Sequence, residues 1–125
     1  PTSGLAIGEV LREAAEHTGL PVMVTETSAK DTVEGRARWM FETVTAVRRL
    51  RQEGVRVIGY TWFPLFTMLD WEYRTGRKPI QDYLLHLGLY EARYNAAGVL
   101  ERYPTSLVAQ YRQIQAEPMP DIQSA

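Results

Sequence analysis

The 125-residue chain contains no cysteine. That excludes disulfide staples, thiol nucleophiles and cysteine-ligated zinc, and it fits a reducing compartment. No apolar run comes near the ~20 residues that a membrane-spanning helix needs, so no membrane partner is expected. Charge of one sign is missing too. Fourteen Lys and Arg stand against 15 Asp and Glu, for a formal net charge of -1, and a duplex-binding surface needs clustered cations to displace counterions. Nucleic acid is therefore not an expected partner. The two histidines, His17 and His86, have no partner at metal-ligand spacing and read as structural or surface residues. What is present, 45% hydrophobic and 23% charged residues, is the composition of a globular protein with the length of one domain.

The stretch around which the chain is organised is Pro21-Val22-Met23-Val24-Thr25-Glu26-Thr27-Ser28. Val22 to Thr25 do not alternate apolar with polar, so they read as a strand buried on both faces. A carboxylate, Glu26, follows at the C-terminal end, the rim where ligands collect in parallel α/β folds. Before it, Ile7, Val10, Leu11, Ala14 and Ala15 share one helical face, predicting a helix over 4–18 that Gly19 and Pro21 stop. After it comes a polar loop over 27–36. A second helix is expected over 37–52, with Met40, Val44, Val47 and Leu50 buried, Arg48, Arg49 and Arg51 facing away, and Gly54 closing it. Trp39, on that helix, reads as packing. Val55 to Trp62 form a second β-rich run. The order helix, strand, helix, strand with short loops is that of crossovers in a parallel sheet.

From Phe63 to Tyr103 the chain reads as a long aromatic loop broken by Pro and Gly, and long ordered loops are usually functional. A last helix over 105–115 carries Leu107, Val108, Tyr111 and Ile114 on one face, with a flexible tail over 116–125. Two buried strands leave two open edges. Such a chain looks like part of a barrel, and a first residue of Pro1 suggests a cut from something longer.

Several motifs in register resemble the C-terminal quarter to third of a family-one glycoside hydrolase, the β-glucosidase and β-galactosidase group. Val24-Thr25-Glu26-Thr27-Ser28 matches the family's Ile-Thr-Glu-Asn-Gly at the end of strand seven. Asp31 and Arg36 precede the next helix as in the family. Gly59-Tyr60-Thr61-Trp62 and, after a segment one residue longer, Asp70-Trp71 match its Gly-Tyr and Trp-Ser-Leu-x-Asp-Asn-Phe-Glu-Trp stretch. Leu87-Gly88-Leu89-Tyr90 and Arg102-Tyr103-Pro104-Thr105-Ser106 are similar to its Phe-Gly-Leu-x-Tyr and Arg-x-Pro-Lys-x-Ser. The departures are Thr27-Ser28 for Asn-Gly, Phe66-Thr67 for Asp-Asn, and Asp70 for a sugar-binding Glu.

The fold class this implies is α/β: the C-terminal portion of a single (β/α)8 barrel domain over 1–125, built as helix, strand, helix, strand, long loop, helix, with strands seven and eight. The resemblance makes Glu26 the nucleophile of a retaining β-glycosidase acting on β-glucosides or β-galactosides. Retention uses two carboxylates about 5 to 5.5 Å apart. Trp62 is then the platform under the sugar, and Asp70 and Trp71 bind outer hydroxyls, with Glu72 competing for the role of Asp70. The family's acid and base, in an Asn-Glu-Pro on strand four, has no counterpart here. The chain alone is therefore expected to be inactive, needing no cofactor or metal but requiring the remaining strands from another polypeptide or from self-association. The Arg74-Thr75-Gly76-Arg77-Lys78 cluster reads as a solvated turn, with a phosphate contact as the other option. The competing readings are a catalytically inactive binding or structural protein of the same ancestry and an independent small α/β module. Absence of cysteine and of a leader makes a cytoplasmic location the expectation.

Overall fold

The computed structural model describes residues 3–121. Ser3 caps a 3-10 turn, Gly4–Ala6, that runs into helix α1, Ile7–Thr18. Gly19, at φ 67°, ends α1 by donating to the Ala15 carbonyl, a left-handed cap that glycine adopts without steric cost. Strand β1, Val22–Thr27, follows. Helix α2, Val33–Gln52, leads to strand β2, Val57–Trp62, which pairs with β1 in parallel. The patterns over 4–18 and 105–115 thus do mark helices, helix α3 spanning Ser106–Ala116 with Thr105 as its cap.

Both layers of helix pack on one side of the β1–β2 pair. Leu11 of α1, Val47 and Leu50 of α2, and Val24 and Val57 of the strands form one apolar cluster. Met40 and Val44 of α2, Trp62, Leu89 and Leu107 of α3 form the other. The predicted stripe of α2 is therefore the spine of both. Arg51, expected to face away, instead folds inward. Its Nε donates to the Pro120 carbonyl at 2.7 Å and an Nη donates to the Val57 carbonyl at 2.5 Å, so the guanidinium ties the end of the helix to the start of β2 and to the chain beyond α3.

Three further expectations change. The strand at Val22 is not buried on both faces: Val24 and Thr27 are buried, but Met23 is 43% exposed, and Thr25 and Glu26 lie open as well. Helices cover one face only. Helix α2 begins four residues earlier than its apolar period indicates, since Thr32 accepts from Gly35 N and the Asp31 carboxylate accepts from Thr32 N, so that polar residues build its first turn. The long loop contains two antiparallel hairpins. The first pairs β3, Met68–Leu69, with β4, Leu84–Leu85; the second pairs β5, Tyr90–Tyr94, with β6, Leu100–Pro104. Two-residue strands carry no readable period. The second turn uses Asn95, whose Oδ1 accepts from Ala97 N and Val99 N, together with Gly98 at φ 76°, rather than the Asn-Gly or Asp-Gly pair that marks a tight hairpin.

The expected flexible tail over 116–125 falls partly on 122–125, outside the described residues. Nearer the helix, Met119 packs against both apolar clusters.

The second hairpin is tied to α2 by a buried ion pair. Arg36, 1% exposed, donates through Nη2 to Glu91 Oε1 at 2.8 Å and through Nη1 to the carbonyls of Asp31 and His86. Burial pushes the Glu91 carboxyl up, but hydrogen bonds from Arg36 and Arg93 outweigh it and hold the group below its ordinary value. Truncating Glu91 to Ala leaves a buried guanidinium without its counter-charge and is expected to destabilise by about 3–5 kcal/mol in denaturant titration. Because the folded carboxyl titrates below the unfolded one, its contribution is intact above the ordinary Glu pKa of about 4.3 and is lost as pH falls through the lower folded value. Wild type should therefore lose more stability between neutral and acid pH than Glu91→Gln.

Candidate functional site

Glu26 owes its position to a register change. Val24 pairs with Tyr60 and Thr27 with Trp62, so two residues of β1, Thr25 and Glu26, face one of β2, Thr61. Such a bulge turns side chains out of the ladder and recurs beside active sites. The Glu26 carboxylate opens on a cleft of about 460 Å³. The end of β1 forms one side of it, with Thr27 and Ser28; Phe63 and Pro64, just beyond β2, continue it. The rest of the lining comes from the first hairpin, through Met68, Leu69 and Leu85, together with Trp71 and Leu87.

These pieces are held in register by polar contacts set back from the opening. The Leu87 carbonyl accepts from Ser28 Oγ at 2.5 Å and from the Trp62 indole N–H at 3.2 Å. Trp39 on α2 donates from Nε1 to Thr27 Oγ1 at 2.9 Å. Gly88 permits the close approach behind this wall, since a Cβ there would stand 2.6 Å from the Leu65 carbonyl oxygen. That carbonyl accepts from Leu89 N and Tyr90 N. Deeper in, Tyr60 shares a 2.8 Å hydrogen bond with Thr43 Oγ1, and burial pushes its phenol up to about 12.

Of the residues singled out in the sequence, the structure brings Glu26 and Trp71 to the cleft. Trp71 is 69% exposed, with the Arg74 guanidinium carbon 4.3 Å from its ring centroid. Trp62 lies elsewhere: it is 7% exposed and belongs to the cluster of Met40, Leu89 and Leu107. Asp70 caps the 3-10 turn Trp71–Arg74, its Oδ1 accepting from Glu72 N at 2.9 Å, and neither Asp70 nor Glu72 lines the cleft. Arg74 apart, the basic cluster over 74–78 lies in exposed chain between that turn and the next. Thr67, in the place of the family's Asn, uses its hydroxyl to bond His86 Nδ1 at 3.0 Å and accepts from Ala92 N at 2.9 Å.

Phe63 was not singled out, yet it is 44% exposed and stands at the cleft. The signal for it is the period of two: Tyr60 and Trp62 pack against the helices, so the next residue faces the other way. Glu26 is the one acidic residue lining the cleft, and among the described residues no group of three His, Asp or Glu side chains is arranged to hold a metal ion. Ser28→Ala and Trp39→Phe are each expected to cost about 1 kcal/mol in denaturant titration, the scale of one intramolecular hydrogen bond; unchanged midpoints for both would mean these contacts do not hold the β1 end.

No family model matches the sequence, and no curated protein matches it. Solved structures do. A β-glucosidase called 1317 aligns with 93% of this chain and 27% of its own, at 23% identity and a TM-score of 0.72. The β-glycosidase of the hyperthermophile Thermosphaera aggregans aligns with 97% of this chain and 23% of its own, at 20% identity and a TM-score of 0.72. An aphid myrosinase aligns with 92% and 25%, at 18% identity and a TM-score of 0.67. The chain spans about a quarter of the length of these proteins and has the fold of that part of a β-glucosidase barrel.

Proposed function

We propose that this chain supplies one wall of a retaining β-glycosidase site, with β1 and β2 as strands seven and eight of the barrel and Glu26 as the nucleophile. The observation that carries this is the bulge that presents Glu26 to the cleft at the end of a parallel strand, on a fold similar to part of several β-glucosidases. A carboxylate held there attacks the anomeric carbon, and a second carboxylate about 5 to 5.5 Å away protonates the departing oxygen and later activates water. That second group comes from outside this chain, since Glu26 is the cleft's one acidic residue. In this reading Trp71 and Phe63 contact the ligand, while Trp62, Asp70 and Glu72 serve as framework.

The complete site needs the rest of the sheet. Strands β1 and β2 pair only with each other among the described residues, which leaves an open edge on each. Met23 and Ile58, 43% and 60% exposed, lie on the uncovered strands. Further strands, from another polypeptide or from a second copy, cover these edges and this apolar surface. The 125-residue chain by itself is expected to associate in sedimentation analysis, and Ile58→Lys to weaken that association; a stable monomer would remove this part of the proposal.

Turnover is the second test. The purified chain is expected to release no nitrophenol from nitrophenyl β-glucoside. Supplied with the missing barrel strands, it is expected to be labelled at Glu26 by a 2-fluoro-β-glycoside, and Glu26→Gln to abolish labelling. A specific observation favours one other reading: the Thr67 hydroxyl and the Asp70 carboxylate are both engaged in internal hydrogen bonds. A complemented barrel that binds the fluorosugar and leaves Glu26 unlabelled would establish a glycosidase-like binding protein without catalysis.

A further inference from the structure

At the end of the strands away from Glu26, the outer edge of β2 is already occupied. Arg56 turns its carbonyl toward β1, where it accepts from Val22 N at 3.0 Å. Successive peptide groups of a strand point to alternate sides, so the N–H and C=O of Val57 face the outer edge, away from β1. Neither is free. Val57 N donates to the Val55 carbonyl at 2.9 Å, and the Val57 carbonyl accepts from Arg51 Nη1 at 2.5 Å. The same guanidinium holds the chain beyond α3, through its Nε and the Pro120 carbonyl. Two more contacts fasten that strap, residues 117–120: Glu117 Oε2 lies 2.8 Å from Arg48 Nη2, and Met119 packs against both apolar clusters.

The strap covers the edge without pairing to it. Pro118 and Pro120 have no N–H to give to a ladder, and among the described residues β2 has β1 as its one strand partner. Nor is the space beside the edge filled. A cavity of about 400 Å³ remains, lined by Gly59 and Tyr60 of β2, Tyr111 and Ile114 of α3, and Pro118 and Met119, whereas close-packed interiors leave few voids larger than a water molecule. A proline-bearing cover and a charged side chain at the edge are devices by which a sheet resists unwanted pairing.

Resting on the reading of β1 and β2 as part of a larger sheet, we propose that residues 117–120 and Arg51 form a displaceable guard on the outer edge of β2, which gives way when β1 of a second copy pairs there. That strand fits because its own outer edge is unpaired among the described residues and its direction continues the parallel order. A contact of this kind is head-to-tail and leaves a fresh edge at each step, so the guard limits growth of the sheet as well as its start.

Sedimentation velocity on the full 125-residue chain tests this. Met119→Ser, which frees the strap, and Arg51→Met, which removes the bonds to Val57 and Pro120, are each expected to tighten self-association about tenfold. Ile58→Lys on either background is expected to cancel the gain. Should both variants lose their helical circular dichroism, the wild-type chain carries a second readout. With its four methionines labelled at the methyl carbon, the Met119 NMR signal is expected to move to the position of a solvent-exposed methionine as concentration drives association. Folded variants that associate no more tightly than wild type would overturn the proposal; with the variants unfolded, a Met119 signal that stays in place at every concentration does the same. The outcomes separate the two readings. A monomeric wild type with associating variants keeps the guard and withdraws the association of the lone chain, while equal association of all three keeps the larger sheet and withdraws the guard.

Discussion

The buried pair of Arg36 and Glu91 is the contact on which the functional half of the chain depends. Helix α2 and the two strands form a unit that local patterning explains. The segment over 63–103 makes a more unusual demand, because its strands are short and its turns irregular. One guanidinium at the first turn of α2 answers it by reaching the Asp31 and His86 carbonyls and the Glu91 carboxylate together. A charge placed so deep is tolerable only with such partners. It fixes where the second hairpin docks, and thereby where the strip of chain from Leu85 to Leu89 runs behind the cleft.

The cleft is then assembled from backbone as much as from side chains. Glu26 is presented by a change of pairing register, not by a loop, which puts a carboxylate on a rigid strand and still turns it outward. Rigid elements hold reacting groups more closely than mobile ones. Hydrogen bonds at Thr27 and Ser28, just beyond that bulge, anchor the strand end to Trp39 and to the Leu87 carbonyl, and the apolar cluster around Trp62 supports the neighbouring strand.

Legibility in the sequence followed the physics of each element. Helices α1 and α3 and the stripe of α2 were readable because each buries a face with a 3.6-residue period. Strand β1 and the carboxylate at its end were equally plain. The burial of Arg36 was not, since nothing local distinguishes an arginine that will meet a distant glutamate from one that stays in water. Trp62 and Phe63 show the limit of motif matching: a tryptophan draws the eye, but the alternation of Tyr60, Trp62 and Phe63 decides which ring meets the cleft. Asp70 was legible as a carboxylate near the rim, whereas its use as a cap depended on a 3-10 turn that no periodicity announces.

The Leu87 carbonyl joins the end of β1 to the end of β2 by accepting from Ser28 and from Trp62 at once. A single acceptor shared in this way makes the two strand ends and the loop one mechanical part. A shift of the loop carries Ser28 and the Trp62 indole with it, so the spacing between Glu26 and the facing wall varies less than the position of either. Tolerance to movement elsewhere in the chain is thus built into the cleft by one oxygen atom that two donors share.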